Sequence, residues 1–199
     1  MTAAESRDEA WVTIETPLTA DALLEFCRDV ERLFRINSQL EFLEWRALGA
    51  GRHAVRLRNL SNGQTLETQL TVALSPDGCK VSYDRGLKAS TELRVAPKPP
   101  GATLTIRDDY GRFPAAERQA RAAEIDRSLV TWGHDLRRYL ARWQRWSWCG
   151  PWRWYMRRVW QPMKPSARRI AFLLIAITAA ELVAFLFVFA IFWLELYAG

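Results

Sequence analysis

Hydrophobic and polar residues alternate with a period of two over much of the first 110 residues, as they do in half-buried strands. The alternation predicts an opening strand over residues 10–16, and six further strands over residues 40–47, 53–60, 65–74, 80–83, 91–95 and 102–110. Short separators rich in Gly, Pro, Asn and Asp lie between these six strands. Links this short favour an antiparallel meander with one buried face and one solvated face.

Two other regions repeat their apolar residues at helical spacing instead. Residues 19–36 predict one or two short helices, with Thr19 as the N-cap. Residues 114–146 predict one long amphipathic helix, with Pro114 in its first turn and Asp126 on its polar face. Its apolar stripe consists of Ile125, Leu129, Trp132, Leu136, Tyr139 or Leu140, and Trp143. Helices collected on one face of an antiparallel sheet make an α+β domain.

The pattern changes again near the C-terminus, where residues 170–194 are apolar except for Thr178 and Glu181. A helix of that length spans roughly 37 Å, enough to cross a bilayer core of about 30 Å. We therefore expect one transmembrane helix over residues 168–197. Residues 1–9 are polar and lack the apolar region of a signal peptide, so we expect a disordered N-terminus and late insertion of the membrane helix as a tail anchor.

The positive charge of the chain is concentrated just before this apolar segment. Ten basic residues and no acidic residue lie between Leu136 and Arg169. With these ten charges removed from a total of +6, the rest of the chain carries −4. By the positive-inside rule we expect the N-terminal domain in the cytoplasm, at the inner membrane of a bacterium. The three cysteines, Cys27, Cys79 and Cys149, are an odd number without metal-like spacing and indicate unpaired thiols in a reducing compartment.

Tryptophans are interleaved with these basic residues, and residues 147–167 therefore form a predicted juxtamembrane linker rich in Trp and Arg. Aromatic rings between arginines also occur in proteins that bind single-stranded nucleic acid. Because the remaining domain carries no net positive charge, a membrane interface is favoured and no nucleic-acid partner is expected. The predicted interface residues are Trp146, Trp148, Trp152, Trp154, Arg157, Arg158, Trp160, Arg168 and Arg169.

Four segments carry a resemblance to a known superfamily. They are the strand Trp-Val-Thr-Ile-Glu from residue 11, the helix Val-Glu-Arg-Leu-Phe from residue 30, the strand Phe-Leu-Glu-Trp from residue 42, and the helix Asp-Arg-Ser-Leu-Val-Thr-Trp from residue 126. In this order they resemble the START-like superfamily, also called SRPBCC or Bet v 1-like, over residues 10–146. The resemblance implies a helix-grip fold, in which a curved antiparallel sheet wraps around a long C-terminal helix.

The resemblance also implies a cavity between the sheet and the long helix for an apolar molecule such as a quinone, an isoprenoid or another lipid. Quinones are favoured because coenzyme Q-binding proteins belong to the group. The residues expected to contact such a ligand are Trp45, Leu57, Tyr83, Leu104, Tyr110, Leu129 and Trp132. The alternative for each of these side chains is that it only fills the core.

No sequence motif identifies a catalytic or cofactor site. The chain has two histidines, no cluster with metal spacing, no phosphate-binding loop and no nucleophile elbow, so neither a cofactor nor a metal is expected. Asp108 and Asp109 are adjacent and would point to opposite faces of a strand. Some members of the superfamily are cyclases or hydrolases, and Tyr83, His53 and Asp108 are the residues that a similar reaction would use here.

Glu181 interrupts the middle of the predicted membrane helix. Burying an ionised carboxylate there costs at least a few kcal/mol, so we expect contact with a partner helix. The alternative is a single tolerated Glu in a very apolar helix. Three functions follow from these patterns: a membrane-anchored binding protein for a hydrophobic molecule, an accessory or assembly subunit of a membrane complex, and a membrane-bound cyclase-like enzyme.

Overall fold

The computed structural model describes residues 9–198, and two compact units divide the chain, the first ending at Pro162 and the second beginning at Met163. The first unit contains one seven-stranded antiparallel sheet in the order β1-β7-β6-β5-β4-β3-β2. Its strands are β1 (Glu9–Thr16), β2 (Leu40–Gly49), β3 (Arg52–Asn59), β4 (Thr65–Ser75), β5 (Gly78–Tyr83), β6 (Ser90–Lys98) and β7 (Gly101–Asp109). The predicted antiparallel meander over residues 40–110 is therefore confirmed, and β1 joins it beside β7.

One face of this sheet is buried along its length. In β7 the side chains of Ala102, Leu104, Ile106 and Asp108 are buried, whereas the residues between them are partly exposed. Helices α1 (Ala20–Arg28) and α2 (Val30–Ile36) follow β1 and lie on the buried side, with α1 against β5, β6 and β7. Thr19 caps α1 as expected, because its hydroxyl accepts a hydrogen bond from the backbone N–H of Ala22.

Helix α4 (Leu129–Trp146) packs on the same buried face, principally against β1. The close approach occurs at Gly133, where a Cβ atom would lie 3.0 Å from Val12 Cγ2 and 3.3 Å from Ile14 Cγ2. The stripe residues Trp132 and Leu136 are buried beneath the helix. A curved antiparallel sheet wrapped on a long helix is the helix-grip arrangement, so the predicted α+β fold class is confirmed.

The prediction that this helix begins at Pro114 was wrong. Residues 115–120 form a short helix, α3 (Ala115–Ala120), a 3-10 turn follows at Ala122–Glu124, and regular helix starts only at Leu129. The break occurs because the Asp126 carboxylate accepts a hydrogen bond from the backbone N–H of Ser128 at 2.9 Å, which replaces a helical hydrogen bond. Ile125 is consequently outside the helix, and Asp126 is not on a solvated helix face.

The chain after α4 is helical and returns to the domain. Helix α5 (Gly150–Tyr155) starts with Pro151 in its first turn, and a π-helical turn follows at Met156–Trp160. Met156 is buried in the core of the first unit. Pro151 lies in the first turn of this helix, a position that suits a residue without a backbone N–H.

The second unit consists of helix α6 (Pro165–Ala198). Residues 165–197 are long and apolar enough to cross a membrane. The large apolar side chains between Ile170 and Tyr197 are exposed within the described chain. Glu181 lies near the middle of the helix and is also exposed.

Candidate ligand-binding site

A cavity of about 120 Å³ lies between the buried face of the sheet and the N-terminal end of α4. Its apolar wall is formed by Phe34, Leu40, Leu57, Leu66, Leu70, Leu87 and Trp132. Its polar wall comes from the end of α2, the turn between β3 and β4, the loop between β5 and β6, and the segment between β7 and α4. That wall contains Asn37, Asn59, Asn62, Gln64, Thr65, Tyr83, Arg85, Lys88, Tyr110, Glu124 and Asp126. One end of the site is thus apolar and the other can form hydrogen bonds.

Four of the seven side chains expected to contact a ligand lie in the wall of this cavity, namely Leu57, Tyr83, Tyr110 and Trp132. The other three are placed elsewhere. Leu104 and Leu129 are buried in the core. Trp45 is half-buried, with its ring centroid 6.3 Å from that of Phe34 and 5.3 Å from that of His53.

Lys88 is the central polar residue of the site. Its ammonium nitrogen lies 2.7 Å from Asp108 Oδ2 and 2.8 Å from Asp126 Oδ2, and only 14% of its side chain is exposed. Asp108 is completely buried, and Asp126 is as little exposed as the lysine. The single ammonium of Lys88 is thus shared between two carboxyl groups. Because both acids already pair with Lys88, its ammonium is not available as a free binding site for an anionic ligand.

Electrostatics fix the charge states of this cluster. Burial opposes the charged form of Lys88, but the Asp108 and Asp126 carboxylates outweigh it and raise the pKa of the ammonium well above its usual value. Burial likewise opposes ionisation of Asp126, yet the Lys88 ammonium and the donors of Ser128 and Asn59 hold its pKa far below the ordinary value. Lys88 is therefore a permanent cation and cannot act as a neutral amine nucleophile near pH 7.

Asp108 connects the ion pair to the two tyrosines of the cavity. Its complete burial raises its pKa despite the neighbouring ammonium. The Thr91 hydroxyl donates to Asp108 Oδ1 at 2.6 Å, so the Tyr83 hydroxyl, 3.1 Å from Thr91 Oγ1, is the donor in that contact. Burial raises the pKa of Tyr83 to about 12, and it also raises that of Tyr110. Both phenols therefore stay neutral, and the hydroxyl of Tyr110 donates to the backbone carbonyl of Asp126 at 3.4 Å.

Sequence reasoning missed Lys88, Asn59 and Asp126 as cavity residues. Asn59 donates to Asp126 Oδ1 at 2.9 Å, although 67 residues separate the two. A local signal for Asp126 was available. An Asp side chain often accepts a hydrogen bond from the backbone N–H two residues later, here that of Ser128, and this contact interrupts a helix. Lys88, in a loop between two strands, carried no such signal.

The residues considered for catalysis are only partly brought together. Tyr83 and Asp108 belong to one hydrogen-bonded chain through Thr91. His53 stands apart on β3, where its ring is tilted by 49° against that of Trp45, and it does not line the cavity. Among residues 9–198 no group of three His, Cys, Asp or Glu side chains could hold a metal ion.

The predicted interface residues fall into three groups. Trp146, Trp148 and Trp154 expose large parts of their rings, and Arg157 and Arg158 are also exposed. Trp152 and Trp160 are half-buried and pack against the core of the first unit, through Trp143 and Tyr139 respectively. Arg168 and Arg169 lie near the start of α6.

The architecture of the first unit is similar to that of several solved structures. No protein-family model and no curated protein matches the sequence. A START superfamily protein from Mycobacterium smegmatis is similar in structure, with a TM-score of 0.50 and 16% identity over 67% of this chain and 97% of that one. The Zhui aromatase/cyclase from Streptomyces sp. R1128 aligns with a TM-score of 0.48 and 18% identity over 68% of this chain and 94% of that one. The first unit therefore has the START-like fold, and the resemblance seen in the sequence is confirmed at the level of fold.

Proposed function

We propose that this protein is a membrane-attached binding protein for a small hydrophobic molecule with a neutral polar end. The observation that carries the proposal is the cavity itself, apolar along Leu57, Leu70 and Trp132 and polar around Lys88. A pocket lined mainly by apolar side chains with a few convergent polar groups is typical of ligand sites. The START-like fold, with its space between sheet and helix, supports the same proposal.

The size of the cavity limits what enters it completely. Sites for drug-sized ligands usually measure about 300–1,000 Å³, and this cavity is smaller at about 120 Å³. A ring or a polar headgroup fits, whereas a long hydrocarbon chain would extend through the opening. A quinone with an isoprenoid tail has this division and is the first ligand class to test; other isoprenoids and lipids are the alternatives.

The charges around the cavity support a neutral rather than an anionic ligand. Lys88 is already paired with Asp108 and Asp126, so a further anion would have to compete with their carboxyl groups for its ammonium. A carbonyl or hydroxyl group can share hydrogen bonds with the same residues without bringing a charge into a poorly solvated site. We therefore expect a carboxylated analogue to bind more weakly than the neutral compound.

Attachment to the membrane is proposed from α6. A helix that is apolar on all sides is stable only when its side chains are removed from water. Its large apolar side chains between Ile170 and Tyr197 are exposed within the described chain, so a bilayer is proposed to cover them. The basic residues before the helix support a cytoplasmic position for the domain, at the inner membrane of a bacterium. In this arrangement the protein would present or receive its ligand at the cytoplasmic face.

Native mass spectrometry of the whole protein, purified in a mild detergent, tests the proposal. We expect one small hydrophobic molecule per chain, identified after denaturing extraction. A chain that carries no such molecule and shows no binding of a short-chain ubiquinone would contradict it. Stable membrane subunits that co-purify without a bound molecule would instead favour an assembly role, and turnover of a polyketide-like substrate that is lost in Tyr83→Phe would favour a cyclase.

A further inference from the structure

A second charged site lies in the first unit, outside the cavity, where Arg32 is surrounded by aromatic rings. Arg32 is on α2 and is 6% exposed. Its guanidinium carbon lies 4.7 Å from the ring centroid of Phe26, 5.4 Å from that of Tyr139 and 4.0 Å from that of Trp143. Such contacts stabilise a cation that has lost most of its hydration.

The polar contacts of Arg32 are fewer than a guanidinium can make. Its Nε and Nη2 atoms both donate to the Tyr139 hydroxyl, at 3.2 and 2.9 Å. Among residues 9–198 no protein group accepts a hydrogen bond from Nη1, and no carboxylate forms a salt bridge with this arginine. Arg32 is not completely enclosed, since 6% of the residue remains exposed. The nearby Asp29 carboxylate accepts the backbone N–H of Arg32 at 3.1 Å as the N-cap of α2.

A second guanidinium converges on the same rings. Arg157, in the π-helical turn after α5, places its guanidinium carbon 5.4 Å from the ring centroid of Trp143. Arg157 is exposed and forms no salt bridge within the described chain. Two arginines thus share Trp143, and neither forms a salt bridge within the described chain. The arginine pair site consists of Arg32, Arg157, Tyr139 and Trp143.

We propose that the arginine pair site binds the phosphate of an anionic phospholipid headgroup. The buried Arg32 offers an unused donor in a fixed position, and Arg157 adds a second charge that can adjust to the ligand. Arginine forks suit phosphate oxygens, and charge-assisted hydrogen bonds to them are stronger than neutral ones.

A lipid is favoured over free phosphate by what surrounds the site. The chain from Leu136 to Arg169 carries ten basic residues and no acid, and α6 begins at Pro165, only eight residues after Arg157. Half-buried tryptophans such as Trp152 border the site, and amphipathic rings of this kind favour the headgroup layer. The inference rests on the membrane attachment in the proposed function but not on the cavity ligand.

The test compares two neighbouring arginines in the whole protein. Arg157→Gln removes a charge from the site, whereas Arg158→Gln removes an equally exposed charge that has no contact with Trp143. Binding of phosphatidylglycerol and of phosphatidylcholine is measured by native mass spectrometry from mixed micelles of a nonionic detergent. We expect Arg157→Gln to weaken phosphatidylglycerol binding by about threefold to tenfold, and Arg158→Gln to change it by less than about twofold.

Several results would overturn the proposal. Equal losses in the two variants would mean that only the total charge matters, and equal binding of phosphatidylcholine would mean that no anion is recognised. Competition by millimolar inorganic phosphate would show a free phosphate site instead. Arg32→Lys keeps the charge but removes the planar guanidinium, and it should weaken phosphatidylglycerol binding as much as Arg157→Gln does. If Arg32→Lys fails to fold, the comparison of Arg157→Gln with Arg158→Gln tests the proposal without it. Flotation of each variant with phosphatidylcholine vesicles reports attachment through α6 separately, and cavity-ligand binding remains unchanged in all of them.

Discussion

The Lys88 ammonium nitrogen lies 2.8 Å from Asp126 Oδ2 and thereby joins the loop between β5 and β6 to the segment that precedes α4. The other carboxylate oxygen of Asp126 accepts from the Ser128 backbone N–H and from the Asn59 amide. One side chain therefore determines where α4 starts and also closes the polar end of the cavity. Stability and ligand binding should both depend on this contact.

Lys88→Met is expected to destabilise the fold by about 3–5 kcal/mol at pH 7, because it leaves Asp108 and Asp126 as buried carboxylates without their cation. The measurement is urea unfolding of the protein in detergent, followed by near-ultraviolet circular dichroism. Lys80→Met is the matched control, since Lys80 is exposed on β5 and should change stability by less than about 0.5 kcal/mol. A loss of the same small size for Lys88→Met would show that the pair contributes little.

The loss of stability caused by Lys88→Met should depend on pH. The depressed pKa of Asp126 means that its pairing stabilises the protein above about pH 4 and is lost as the pH falls through the folded-state value. The raised pKa of Lys88 means that its pairing is present below about pH 10 and is lost only above the folded-state value. The difference in stability between wild type and Lys88→Met should therefore be largest at alkaline pH below about 10 and shrink on acidification, as the unpaired carboxyls, whose pKa burial raises, become protonated. A difference that grows on acidification would contradict this account.

Gly133→Val is expected to destabilise the domain by about 1–3 kcal/mol, because its side chain would displace Val12 and Ile14 where α4 meets β1. Gly150→Val is the control, as a Cβ at Gly150 meets nothing within 4 Å. Thermal unfolding of the two variants distinguishes the effect of packing from that of a β-branched residue in a helix. Similar melting temperatures for both would remove Gly133 as the point of close contact.

Glu181→Leu tests whether α6 has a partner helix. We expect the variant to insert into membranes as wild type does but to lose self-association or a co-purifying subunit, because the carboxyl group is the polar contact that an apolar helix otherwise lacks. Crosslinking in membranes is the measurement, and Glu195→Leu, near the end of the helix, is the control. An unchanged crosslinking pattern would leave Glu181 as a single tolerated polar residue.

Most of the fold could be predicted from local patterns. The strands alternate with a period of two, and turn-forming residues separate them, so strand number and order follow from neighbouring positions. The break between Glu124 and Leu129 could not be predicted in the same way. The spacing of Asp126 and Ser128 offers a local signal for it, but the contacts that hold the Asp126 carboxylate in place come from Asn59 and Lys88, which lie 67 and 38 residues away in the sequence.

The candidate site was only half predictable for the same physical reason. Apolar residues such as Leu57 and Trp132 can be assigned to a buried face by periodicity, and the cavity lies on that face. Which of them border empty space depends on packing, as Leu104 shows by being buried without reaching the cavity. The aromatic surroundings of Arg32 were equally hidden, because Tyr139 and Trp143 reach it only when α4 packs against α2, more than 100 residues away in the sequence.

The measurement that tests the central claim most directly is binding of a short-chain ubiquinone to two variants of β4. Leu66 lines the cavity, whereas Leu74 lies eight residues further along the same strand and is exposed. Leu66→Trp fills the cavity, and Leu74→Trp adds the same side chain outside it. We predict that Leu66→Trp abolishes quinone binding, or weakens it by at least about tenfold, while Leu74→Trp binds as wild type does. Equal binding to both variants would contradict the claim that this cavity holds the ligand.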